Sequence, residues 1–211
     1  MREGRSFFDP CYKGRAEGRV EAAVIGRHNV KNALAVYAMG RAMGLERSKL
    51  LDGFATFSGV KRRQEVKGER RCILVIDDFA HHPTAVRETI LAVKEAYPGR
   101  RLWAIFEPRS NTSRRNIFEH EFAQALALSD RVVVAGLYQA EKIPEPDRLS
   151  VAQVVEEINR STKDGRAREI EKSQDIADYV ASNAVRGDVV LVMSNGGFDG
   201  VQEKILQALA G

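Results

Sequence analysis

The sequence predicts an α/β chain, a Rossmann-like, mostly parallel, doubly wound sheet with flanking helices, preceded by a fragment of another unit. Three observations predict it. From residue 72 onward, short apolar runs alternate with amphipathic stretches; the first 58 residues break that rhythm; and polar, histidine and glycine strings follow the strand-like runs. With 211 residues, 44% hydrophobic and 29% charged, the chain has enough apolar material for one domain or two small ones.

Each element has its own warrant. Val20–Ile25 reads as a strand, Val30–Met43 as a helix that Gly44 ends in the left-handed conformation, and Ser48–Phe57 as a second helix. Residues 1–19, rich in Gly and Arg, carry too few apolar positions for a core of their own. Ser58–Arg63 lacks periodicity and is the expected linker, so residues 1–58 look like part of something larger. Ile73–Ile76, Leu102–Phe106, Val132–Ala135 and Val189–Met193 are continuous apolar runs of strand length, as strands covered on both faces require. A weaker strand is expected at Ala167–Ile170, with helices at Thr84–Ala96, Arg114–Leu128, Val151–Arg160, Ser173–Val185 and Val201–Leu209. Such alternation implies right-handed crossovers and a parallel sheet.

Charge and composition narrow the function. Residues 1–71 carry 16 basic and 8 acidic side chains, or +8, whereas residues 72–211 carry 17 and 21, or −4. A basic half can face nucleic acid, a membrane surface, a phosphorylated small molecule or only solvent. Cys11 and Cys72 have no CxxC spacing, so neither a cysteine zinc site nor a disulfide framework is expected. No run is long enough to span a membrane, and Met1-Arg2-Glu3-Gly4-Arg5 is not followed by a leader-like apolar stretch; a cytoplasmic chain is expected.

In open parallel sheets, ligands bind outside the carboxyl ends of the strands. There the sequence places Asp77-Asp78-Phe79-Ala80-His81-His82-Pro83-Thr84, Glu107-Pro108-Arg109-Ser110-Asn111-Thr112 and Ser194-Asn195-Gly196-Gly197-Phe198. The acid–histidine spacing is loose for a metal, and a helix cap at His82 or Thr84 with Pro83 in the first turn explains much of it, so no metal ligand is assigned. Asp78 suits the two hydroxyls of a ribose. Arg109 with Arg114 and Arg115 could be a solvated helix start, but positive charge there disfavours the helix unless an anion compensates it, which points to a bound carboxylate or phosphate. Asn29, expected just before a helix, is either an N-cap or a carboxamide for an adenine edge. His120-Glu121 lacks the second histidine of a zinc protease helix. There is neither GxGxxG nor GxxxxGK[ST], so these 211 residues cannot act as a self-sufficient dehydrogenase or phosphate-loop ATPase.

Gly26-Arg27-His28-Asn29-Val30-Lys31-Asn32-Ala33-Leu34-Ala35, then Gly59-Val60-Lys61-Arg62-Arg63, then the Asp77–Thr84 string resemble, in order and spacing, the Mur ligases of peptidoglycan synthesis. Within that family the three strand-end strings are similar to the murein peptide ligases. The resemblance implies ATP-dependent amide formation through an acyl phosphate, with UDP-N-acetylmuramate and the tripeptide L-Ala-γ-D-Glu-meso-diaminopimelate as substrates, in peptidoglycan recycling. The L-alanine-adding branch is the alternative, and a non-catalytic nucleotide- or nucleic-acid-binding module is the alternative of another class. It further implies that residues 1–58 are the tail of a central ATPase domain and residues 59–211 the C-terminal Rossmann-like domain. The phosphate loop, the Mg2+ ligands and the N-terminal and central domains would lie upstream. By similarity His28, Asn29 and Asn32 would meet adenine, Arg63 the nucleotide, Asp78 the ribose, and His81 the phosphates or the incoming amine. Arg109, Ser110, Asn111 and Arg114, or its neighbour Arg115, would meet the peptide. No nucleic acid, membrane or metal contact is expected of this chain.

Overall fold

A computed structural model describes residues 5–211; Met1–Gly4, read above for a leader, lie outside the described residues. The N-terminal part opens with β1 (Ser6–Phe8), a short hairpin of β2 (Cys11–Tyr12) and β3 (Arg15–Ala16), and β4 (Val20–Ala22), which pairs antiparallel with β1. Helices α1 (Arg27–Ala42) and α2 (Arg47–Thr56) follow, and Gly44 at φ 84 ends the first as expected. Their shared core is small: Val20, Tyr37 and Leu50, with Phe8, Leu51 and Phe54 packed against it. Leu34, Val36, Met39 and Met43 of this part stay exposed.

The remainder is one six-stranded sheet. Its elements are β5 (Glu65–Arg70), β6 (Ile73–Asp78), α3 (Pro83–Ala96), β7 (Leu102–Phe106), α4 (Glu119–Leu126), β8 (Arg131–Val134), α5 (Val151–Thr162), β9 (Ala167–Glu169), α6 (Ser173–Asn183), β10 (Val189–Met193) and α7 (Val201–Ala208). The strand order is β5-β6-β10-β7-β8-β9, all parallel except the edge pair β5–β6. Alternate residues of each strand serve opposite layers. Leu74, Ile76, Leu102, Ala104, Phe106 and Leu191 pack with α3, α4 and α5, whereas Ile73, Val75, Trp103, Ile105, Val190 and Val192 pack with α6 and α7. That division explains the unbroken apolar runs and makes the sheet doubly wound, as the sequence predicts.

Two local expectations need correction, and one strand was not anticipated. Glu65–Arg70, after the expected linker, forms the antiparallel edge strand β5; its charged, half-solvated residues carry no apolar run. The helix expected over Arg114–Leu128 begins only at Glu119, after a 3₁₀ turn at Asn116–Phe118. Glu119 and Glu121 therefore occupy the first turn, where carboxylates suit the helix dipole, and Arg114 and Arg115 lie ahead of it. No dipole conflict remains to demand an anion there. Second, Asn29 is not an N-cap, since α1 starts at Arg27 with Gly26 as its cap residue and Asn29 inside the first turn.

Candidate functional site

The last strand, β10, inserts between β6 and β7, and its following helix packs on the face opposite to the helices that follow its neighbours. Chain direction across the sheet thus switches at the carboxyl ends of β6, β10 and β7, the place where such sheets bind ligands. The strings Asp77–Thr84, Glu107–Thr112 and Ser194–Phe198 leave the sheet here, as their position in the sequence requires.

On one side of this edge a cavity of about 1050 Å³ lies between α1, α2, the linker and α3. His28, Asn29, Asn32, Arg63 and Asp78, separated by up to 50 positions in sequence, all line it. The N-terminal part and the sheet share its wall, and Gln64 ties them together. The Asn29 carboxamide nitrogen donates to Ile25 O at 2.9 Å and to Gln64 Oε1 at 3.1 Å. The Gln64 amide nitrogen then faces His28 Nε2 at 3.4 Å, which makes that ring nitrogen the acceptor and leaves the proton on Nδ1. Nδ1 is itself buried without a partner. Burial chiefly lowers the His28 pKa, so the ring is held neutral.

Asp78 closes the floor of the cavity. It accepts from Ala80 N at 2.8 Å, Gln64 N at 2.9 Å and Thr89 Oγ1 at 3.3 Å. Burial still raises its pKa, against the opposing pull of those donors and of Arg63. Arg63 lies 5.4 Å from the centre of the Phe79 ring, and Arg62 lies 5.3 Å from it. Of the two, only Arg63 lines the cavity; Arg62 instead reaches the carboxyl edge of the sheet. His82 caps α3, its Nδ1 accepting from Thr84 N at 3.4 Å, with Pro83 in the first turn.

The second cluster gathers on β7, β8 and β10. Arg109 stacks on the Tyr138 ring at 3.6 Å and reaches Glu107 at 3.5 Å. Ser110 and Ser113 exchange hydrogen bonds at 2.9 Å, and Asn111 accepts from Arg114 at 2.7 Å. The Arg114 guanidinium also donates to Tyr138 O at 3.0 Å and Gln139 O at 3.2 Å. Ser110, Asn111 and buried Arg114 thus knit the loop that carries Arg109, while Arg115 pairs with Asp147 at the surface. His81 Nδ1 lies 2.9 Å from Phe79 O and must donate to it, which leaves Nε2 free as a base. Neither His81 nor this Arg109 loop is in the cavity wall.

Sequence reasoning missed Gln64 and Tyr138. Tyr138 follows β8, so the strand-end rule applied to that strand flags it. Gln64 stands beside Arg63 in a segment without periodicity, and only the fold brings it to His28.

Comparison with known proteins adds the family. Residues 62–196 match the profile described as Mur ligase, glutamate ligase domain. The UDP-N-acetylmuramate–L-alanine ligase of Nostoc punctiforme is 35% identical over 197 residues, covering 93% of this chain and 40% of that protein. The UDP-N-acetylmuramate–L-alanyl-γ-D-glutamyl-meso-2,6-diaminoheptandioate ligase of Escherichia coli is 36% identical over 198 residues, covering 93% and 41%. The crystal structure of a murein peptide ligase from Psychrobacter arcticus superposes with a TM-score of 0.69 at 30% identity, covering 100% of this chain and 42% of that one. The chain spans about two fifths of the length of these relatives. Among the described residues, no helix is long and apolar enough to cross a membrane.

Proposed function

The chain belongs to the Mur ligase family, and we propose that it is the C-terminal portion of a cytoplasmic, ATP-dependent amide ligase that joins UDP-N-acetylmuramate to L-Ala-γ-D-Glu-meso-diaminopimelate. Residues 1–58 are then the tail of the ATPase domain and residues 59–211 the domain that brings the peptide. The observation that carries the proposal is the cavity, where His28, Asn29, Asn32, Arg63 and Asp78 converge from both parts. Two carboxamides and a neutral imidazole suit a purine edge, a buried carboxylate suits ribose hydroxyls, and a guanidinium suits phosphate. The similarity of the three strand-end strings to the murein peptide ligases supports the peptide-adding branch.

In the proposed reaction the muramyl carboxylate attacks the γ-phosphorus of ATP, ADP leaves, and an acyl phosphate results. The peptide amine then attacks the acyl carbon and expels phosphate as the C–N bond forms. Free Nε2 of His81 takes up the proton lost by the incoming ammonium, and Arg109, with Ser110, Asn111 and Arg114 shaping its loop, holds a peptide carboxylate. The rest is positioning and charge neutralisation. The family uses Mg2+, but among the described residues no three His, Cys, Asp or Glu side chains are grouped to hold a metal, and no step on this chain is assigned to one.

In the full-length protein that contains this segment, Asp78→Ala is expected to raise the ATP requirement and Arg109→Ala chiefly the peptide requirement; the reverse pattern overturns the assignment. The 211 residues alone are expected to show no ligase turnover. A second reading, L-alanine as the amine, is favoured by the near-equal identity to the Nostoc punctiforme enzyme. Competition between L-alanine and the tripeptide for turnover decides between the two.

A further inference from the structure

Arg62, Arg63 and Gln64 are consecutive, yet they serve two places. Arg63 and Gln64 line the cavity, where Gln64 closes on His28 and Asn29, and Arg62 turns the opposite way. Arg62 and Gln64 both hold left-handed backbone, at φ 59 and φ 53, a conformation unfavourable for residues with a Cβ. Surrounding contacts must over-determine it. They do so from two strands. Arg62 N donates to Glu65 Oε2 at 2.8 Å, its carbonyl accepts from Phe79 N at 2.8 Å, and its Nε donates to buried Asp77 at 3.2 Å. Asp77 is held on its other oxygen by Gln202 of α7 at 2.8 Å. One guanidinium nitrogen of Arg62 then reaches two backbone carbonyls beyond β10, Ser194 O and Gly196 O, both at 2.6 Å.

Gly196 carries the connection onward. A Cβ at this position would lie 1.9 Å from Arg109 Nε, 2.1 Å from Cδ and 2.4 Å from Cζ, so the Arg109 side chain lies flat on the glycine. Its guanidinium is stacked against Tyr138. Arg109 is therefore located by the Tyr138 ring and by Gly196, and the Gly196 carbonyl is located by Arg62. Short charge-assisted bonds tolerate little independent movement of their partners. We propose that Arg62 is a positioning residue that couples the cavity to Arg109, so that a nucleotide in the cavity and a carboxylate on Arg109 each tighten the other. The inference rests on the nucleotide reading of the cavity. Coupling of this kind is reciprocal, because both ligands bias one arrangement of the linker and the Ser194–Gly197 turn.

The test is nuclear magnetic resonance on the 211-residue chain, with ATP as the titrant and the indole signal of Trp103, at the far end of the sheet, as the check on folding. In the wild-type chain ATP is expected to move the amide signals of His28, Gln64 and Phe79, and also those of Gly196 and the Arg109 Nε–H. In Arg62→Met the first set is expected to persist while the second is lost. Arg62→Lys, which keeps the charge but cannot span Asp77 and both carbonyls, is expected to lose most of it and serves if Arg62→Met does not fold. A wild-type-sized response at Gly196 and Arg109 in either folded variant overturns the coupling. If excess ATP moves nothing near His28 and Gln64 in the wild-type chain, whose proposed phosphate loop lies upstream, the relay is read without ligand from Gln64→Ala. That change must shift the Arg109 Nε–H signal when Arg62 is present and leave it unmoved in Arg62→Met. An equal shift in both backgrounds overturns the relay.

Discussion

Asp188 and Asp78 stand at opposite ends of the same parallel sheet, and each is almost wholly buried, at 1% and 3% exposure. Asp188, just before β10, receives the Arg101 guanidinium at 2.7 Å, the Trp103 indole at 2.8 Å and Val185 N at 3.0 Å. Burial pushes its pKa up, but those donors prevail and lower it. Asp78, at the end of β6, has only neutral donors in hydrogen-bond contact, and there burial prevails and raises it. The buried carboxylate at one end is met by a guanidinium and the one at the other is not, although Ser129 Oγ at the amino end is also buried without a partner. The carboxyl end also holds the unpartnered His28 Nδ1 and a buried, unpartnered Asn195 Oδ1. Perturbed, under-satisfied groups gathered at a strand-end crevice are the pattern that the proposed nucleotide would complete.

The largest expected effect breaks the amino end. Asp188→Ala strands the Arg101 guanidinium, the Trp103 indole and Val185 N, and is expected to cost about 3–5 kcal/mol of stability. Urea unfolding followed by the fluorescence of the single tryptophan measures it. Asp78→Ala leaves two backbone N–H groups and a threonine hydroxyl, and is expected to cost only about 1–3 kcal/mol. Equal losses at the two ends would remove the distinction.

A smaller effect on stability but a large one on turnover is expected from Gly196→Ala. The new methyl must displace Arg109 from the Tyr138 ring. A misplacement of about 1 Å is expected to weaken peptide use in the full-length enzyme roughly 100-fold while leaving ATP binding nearly unchanged. Gly197→Ala is the control, since nothing lies within 4 Å of the methyl it adds. If both variants keep the wild-type peptide requirement, Arg109 is not the group that meets the peptide.

The same contrast explains what could be read from the sequence. The amino end and the core were legible because two-faced burial forces continuous apolar runs such as Val189–Met193, and their strand-end strings located the site edge. Edge strand β5 was not, since Glu65-Val66-Lys67-Gly68-Glu69-Arg70 is paired on one side only and half-solvated. At the site, residue types were legible but not their directions. Arg62 and Arg63 are indistinguishable in sequence, and the left-handed backbone at Arg62 helps send one to Gly196 and the other to the cavity. Arg114 reads as a ligand for anions, yet carbonyls at Tyr138 and Gln139, 24 and 25 positions away, occupy one of its terminal guanidinium nitrogens.

The smallest effect is the sharpest, because it changes sign between the two ends. An unfolded aspartate titrates near about 3.9. Asp188 titrates lower when folded, so its contribution to stability is present above that value and is lost as pH falls through its folded pKa. Asp78 titrates higher when folded, so its contribution is present below about 3.9 and is lost as pH rises through its folded pKa. The stability gap between wild type and Asp188→Asn should therefore widen as pH rises from about 3 to 5, whereas the gap to Asp78→Asn should narrow as pH rises from about 4 upward. Each slope is bounded at about 1.4 kcal/mol per pH unit for one proton. Urea midpoints across that range read both. A gap to Asp78→Asn that widens with pH would mean that the fold already stabilises this carboxylate as it does Asp188, which removes the electrostatic support for the proposed ribose contact.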